Sequence, residues 1–159
     1  MGLALSGYLL IKTLHIISAT ILFGTGIGIA FFMFRSHFTP DLQQKLYATS
    51  TTVLADKLFT LPAGLLQLGT GLWLVQEAGW DLTQTWLLLS LCLFTLAGLC
   101  WLPVLWIQAQ LKKNLQYCVQ HQVQLPANHE RLFRVWIILG WPAFLALALI
   151  FYLMVSKPQ

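Results

Sequence analysis

Apolar positions in this chain do not alternate with polar ones; they run on. Four predominantly apolar stretches cover roughly residues 5–34, 53–76, 83–108 and 132–155, each long enough to cross a bilayer core, which takes about 20 residues. Open sheets cannot satisfy their backbone in lipid, and none of these stretches has the period-two pattern of a barrel strand. All four are therefore predicted to be α-helices. Short polar segments separate them. Glu77, Ala78, Gly79, Trp80 and Asp81 follow the second stretch, and a Gln-rich segment from Gln116 to Gln124 follows the third. That segment can prolong the third helix by a few turns until Pro126 breaks it. The expectation is an all-α, four-transmembrane-helix bundle forming one domain over residues 1–159.

Composition supports an integral membrane protein. Hydrophobic residues make up 58% of the chain and charged ones 9%, against about 25% charged in soluble domains; mean hydropathy is +0.74. So few charges cannot cover a water-facing surface. The net charge of +4 reads as topology rather than nucleic-acid affinity, because no basic run exceeds two residues. Arg35 and Lys45 follow the first stretch, and Lys112, Lys113, Arg131 and Arg134 flank the third connection, whereas the second connection has no Lys or Arg. The positive-inside rule then makes loops one and three cytoplasmic and places loop two and both termini outside. Trp73, Trp80 and Trp86 fall toward the outer interface, as an aromatic belt would. The first stretch lacks a preceding basic region and an Ala-x-Ala site, and is expected to stay as a membrane helix. Cys92, Cys100 and Cys118 follow no CxxC spacing. The first two lie about 12 Å apart on a helix, too far for a disulfide.

The candidate chemistry begins at His15, an ionisable group inside an apolar stretch and so a functional-site hypothesis by default. On a helical wheel it shares a face with Tyr8, Lys12, Ala19, Leu22, Gly26 and Met33. Two readings stand side by side. In one, His15 is an axial ligand of haem b, with Ala19 and Gly26 making room for the ring and Lys12 facing a propionate or a quinone-like substrate. In the other, the small residues serve helix packing, and His15 bonds to a Ser, a Thr or a carbonyl of a neighbour. His37, His121 and His129 fall at the opposite side of the membrane, with His37 about 33 Å from His15 along an ideal helix. The iron would therefore be ligated by His15 alone, or take a second axial ligand from Met154, from Lys12 or from another subunit. Near the inner face, Asp56, Lys57, Gln67, Gln108 and Arg134 form a second polar group. Asp56 and Arg134 are expected to pair across helices, with Gln108 beside them, while Lys57 snorkels to the headgroups. The alternative for this group is a proton or substrate entry. Several soluble chemistries are excluded: there is no Gly-rich phosphate loop, no HExxH and no GxSxG. Gly24-Thr25-Gly26-Ile27-Gly28 lies inside a spanning helix rather than after a strand, and is a packing feature.

Several stretches together resemble a bacterial membrane family known as domain of unknown function 2269. They are Leu10, Lys12 and His15 with Gly24-Thr25-Gly26; Ala55-Asp56-Lys57; Trp101-Leu102-Pro103-Val104; and Gly140-Trp141-Pro142-Ala143 with Leu153-Met154-Val155. The likeness spans essentially the whole chain and implies a multi-pass protein of the bacterial inner membrane. More distantly, Lys12-x-x-His15 followed by a Gly-containing run is similar to the first helix of HemJ-type protoporphyrinogen oxidases and of CopD-like membrane proteins. That likeness implies haem b on His15, a porphyrin or quinone substrate and membrane redox work; only Lys12 and His15 carry over. The chain departs from the CopD kind in having three Met, and from the HemJ kind in lacking its longer pattern after the first helix. The rival expectation is a membrane subunit or accessory protein, self-associated or within a larger complex, using His15 and Asp56–Arg134 as interhelical contacts. A third is a small proton-coupled permease.

Overall fold

The computed structural model describes the backbone of residues 2–158 and the side chains of residues 6–158. Among these residues there are helices and turns and no strand. Helix α1 runs Gly2–His37. The second span is composite: α2 (Leu42–Ala55), a π-helical turn (Asp56–Thr60) and α3 (Leu61–Glu77) follow without a break. Helix α4 runs Thr85–His121 and α5 runs Ala127–Ser156. By length and composition, four helical segments can cross a membrane, and Leu42–Glu77 is the least apolar of them.

The helix ends follow from local chemistry. Asp41 caps α2, its Oδ1 accepting the N–H groups of Gln43 at 2.8 Å and Gln44 at 3.4 Å, which satisfies donors left over in the first turn. This cap starts the second span at Leu42, well before the apolar run that begins near residue 53. The polar residues between are helical because Asp41 nucleates them and α1 and α4 pack against them. At the other end Gly79, at φ +67, stops α3. Its N–H donates to the Gln76 carbonyl and that of Trp80 to the Val75 carbonyl, the paired bonds of a Schellman stop. In the following turn the Thr83 N–H donates to Asp81 Oδ1 at 2.9 Å, which holds this carboxyl below its ordinary range. Helix α4 continues to His121, through the Gln-rich segment, and ends on Gln122 at φ 53.

The π turn has a cause in sequence. Pro62 brings no N–H, and its ring collides with the carbonyl four residues back. Widening the preceding turn by one residue, so that the Leu61 N–H reaches the Asp56 carbonyl, relieves that crowding without ending the helix.

Packing is strongest between α4 and α5 and between α1 and α3, while α2 bridges α1 and α4; α5 touches α1 only lightly. The molecule is thus two helix pairs, and one hydrophobic core joins them. Met33 of α1, Val104, Ile107 and Leu111 of α4, and Phe133 and Trp136 of α5 are buried together. All six lie toward the end that carries Arg35, Lys45, Lys112, Lys113, Arg131 and Arg134, called here the basic end. Farther along, Phe23 stacks on Phe144 at 4.9 Å and meets Phe151 edge-on at 5.4 Å.

Candidate functional site

The buried face of the second span is polar almost throughout. Thr49, Thr52, Asp56, Thr60 and Thr70 are buried and Gln67 is half-buried, with Ala63 the apolar member among them. A lipid-exposed helix would turn such groups inward in any case, but here they face other helices at membrane depth, where each must find a partner. How they do so separates two sites along one face.

The first is His15. Its Nδ1 lies 2.8 Å from Thr70 Oγ1 and its Nε2 lies 2.9 Å from Gln67 Nε2. The roles follow by elimination. The Thr70 hydroxyl donates to the Leu66 carbonyl, so it accepts from His15 Nδ1–H. That leaves Nε2 as a bare acceptor for the Gln67 amide N–H. Gln67 Oε1 accepts in turn from the Ser18 hydroxyl at 2.7 Å, and Ser18 is 2% exposed. The bonds thus run unbroken from Ser18 through Gln67 and His15 to Thr70 and Leu66. They can also run a second way, because the Ser18 hydroxyl lies 2.9 Å from the His15 carbonyl. With the amide turned over, an imidazolium Nε2–H would donate to Gln67 Oε1, Gln67 Nε2 to Ser18 Oγ, and Ser18 to that carbonyl. One rotation of one amide thus reverses the direction of these bonds while keeping each of them.

The small residues that make this contact belong to α3 rather than α1. A Cβ on Gly71 would stand 3.1 Å from His15 Cε1, and one on Gly64 would stand 3.9 Å from Leu22 Cδ1. The His15 face is therefore filled by a helix, where a flat ring was one of two expectations. Ala19 is half-buried, and a Cβ on Gly26 would meet nothing within 4 Å. Lys12 is exposed, its Nζ 5.9 Å from the Tyr8 ring. Met154 is half-buried on α5, a helix that only grazes α1. Met33, five turns along the His15 face, is buried in the core of the basic end. As packed, these residues do not fit a haem: both imidazole nitrogens are used, and Gly71 lies against the ring edge.

The second site is Asp56, 3% exposed. Thr60, Gln108 and Trp101 lie alongside its carboxyl group. Even so, Asp56 Oδ2, Thr60 Oγ1 and Gln108 Oε1 are buried with no hydrogen-bond partner among the described residues. The expected Asp56–Arg134 pair is a correction: Arg134 is exposed, and the one ion pair among the described residues joins His37 to Glu130 at 3.6 Å. The reason is topological. Arg134 sits on α5, which packs on α4, while the π turn packs on α1. Gln108 lies alongside Asp56, and Lys57 is exposed. Gln67, grouped by sequence with Asp56, belongs to His15 instead.

Ser18, Thr70 and Thr60 were not singled out from sequence, and Trp101 was named only within a stretch that carries the family resemblance. Ser18 and Thr70 had a usable signal. Ser18 follows His15 by three residues and Thr70 follows Gln67 by three, so each pair shares a helix face. No curated protein and no solved structure matches the chain. A family model described as a predicted integral membrane protein does match, over residues 9–158. With four apolar spans built as the geometry has them, the chain belongs to that family of multi-pass membrane proteins, DUF2269.

Proposed function

We propose that this protein works as a membrane subunit or accessory protein of the bacterial inner membrane, in which His15 is a fixed interhelical contact. Its basic loops would face the cytoplasm and its termini the outside. The observation that supports this reading is the unbroken run of bonds from Ser18 through Gln67 and His15 to Thr70 and Leu66. Apolar helices gain little by associating in lipid, so polar contacts and close packing decide which helices pair. The lipid-facing apolar surface of all four spans leaves room for a partner subunit or a second copy.

Haem b on His15 is the second reading, and one observation favours it. The Nδ1–H anchored on Thr70 fixes the imidazole and leaves Nε2, here taken by the Gln67 amide, as the nitrogen with a lone pair, as partners behind a ligating histidine do. Ligation would require Gln67 to leave Nε2 and α3 to move off the ring; a porphyrin or quinone substrate and redox chemistry would follow only then. Absorbance separates the two. After expression with ample haem, the purified protein is expected to show no Soret band, and His15→Ala is expected to lower the melting temperature and the recovery of any co-purifying partner. A Soret band in the wild type that vanishes in a folded His15→Ala protein would overturn the subunit reading.

A further inference from the structure

Three oxygens around the π turn lack what buried oxygens need. Asp56 Oδ2, Thr60 Oγ1 and Gln108 Oε1 have no partner among the described residues, and their side chains are 3%, 6% and 3% exposed. Burying a polar atom unpaired is costly, and here Thr60, Gln108 and Trp101 approach the Asp56 carboxyl group without closing a bond to its Oδ2. The usual remedy is a basic side chain, but the nearest candidates by sequence and by expectation, Lys57 and Arg134, are exposed. What the site offers is a carboxylate, a hydroxyl and an amide carbonyl, all hard oxygen donors suited to a hard cation. It holds one acid. Asp41 and Asp81 lie in the connections, Glu77 ends α3 and Glu130 begins α5, so the local charge balances a single positive one. The helix is widened at this point to admit Pro62, and π turns are frequent at functional sites.

We propose that Asp56, Thr60 and Gln108 form a binding site for an alkali-metal cation, held between the π turn and α4 with Trp101 as its wall. Thr49 and Thr52 extend the polar face from this site toward the basic end, and Gln67 and Thr70 extend it the other way. The site stands apart from the role given to His15, since Gln67 lies 11 residues beyond Asp56, about 16 Å along an ideal helix.

The full chain in detergent would be melted at constant ionic strength with NaCl, LiCl or KCl replacing choline chloride, at mildly acidic and mildly alkaline pH. A cation bound by the folded state stabilises it in proportion to the logarithm of its concentration once that exceeds Kd. The melting temperature at alkaline pH is therefore expected to climb with at least one alkali cation. The climb should be absent in Asp56→Asn and displaced to higher salt in Thr60→Val, which keeps the charge and the shape. Saturable binding of radioactive sodium to the wild type, competed by the favoured cation, is expected alongside and needs no variant to fold. Identical melting in alkali and choline salts would overturn the proposal. So would a melting temperature that follows pH but not cation, which would give the carboxyl a proton bonded to Gln108 Oε1.

Discussion

At the scale of single residues, the decisive contact is an imidazole against a glycine. His15 bonds to Gln67 and Thr70 only because Gly71 lets α3 come within reach of the ring; an added methyl would stand 3.1 Å from Cε1. Gly71→Ala is therefore expected to push the ring by a few tenths of an ångström, a cost set against the roughly 1 kcal/mol that Ala gains over Gly inside a helix. In a His15→Ala background the methyl has room, and the same substitution should keep that gain without the cost. A double-mutant cycle on thermal or denaturant unfolding in detergent reads this coupling, and additive effects would mean that the ring and the glycine do not meet. Removing the imidazole alone leaves Gln67 and Thr70 short of a partner inside the membrane. Polar contacts of that kind are worth roughly 0.6–2 kcal/mol. One residue of this group was legible beforehand. A histidine in an apolar helix announces itself, but which of the chain's Ser, Thr and Gln side chains would receive it depends on how two helices 50 residues apart align.

At the scale of elements, the second span carries most of what is unusual. It is long, its first turns are polar, it widens at Pro62, and its buried face is lined with threonines, Asp56 and Gln67. Counting apolar residues undervalues such a helix, because its inward groups are the polar ones and its lipid-facing groups are Leu54, Leu58, Phe59, Leu65 and Leu66. The same inversion hid its start. Asp41 sets Leu42 as the first helical residue through two backbone bonds, so Asp41→Ala is expected to cost about 0.5–2 kcal/mol while Asp41→Ser keeps most of that stability. Melting of the two variants side by side checks it; equal losses would mean that the charge, and not the cap, is what matters there.

At the scale of the whole molecule, two helix pairs meet in one core at the basic end, and the polar face of the second span runs from that end toward the other. If the basic loops lie in the cytoplasm, a reporter enzyme that matures only outside the membrane should be active when fused after residue 158 and inactive when inserted at residues 122–126. Activity in the reverse pattern would invert the bundle. The fold leaves the apolar surfaces of all four spans facing outward, with Leu10, Phe32, Leu99, Ile138 and Tyr152 among the most exposed, as suits a solvent of hydrocarbon.

The chain alone determined the number of spans, their helical nature and the class of protein, because bilayer thickness and the need to bond every backbone group in lipid act on each segment separately. It also marked His15, Asp56 and Gln108, since polar groups in hydrocarbon stand out without any knowledge of their neighbours. Tertiary structure decided the rest. It gave His15 to Gln67 and Thr70, set Arg134 apart from Asp56, and brought Thr60 and Trp101 to a carboxylate. Each of those outcomes depends on which helices touch and how they are rotated against one another. In lipid that choice turns on a few small residues and polar contacts, Gly64 and Gly71 among them, and a hydrophobicity pattern does not record it.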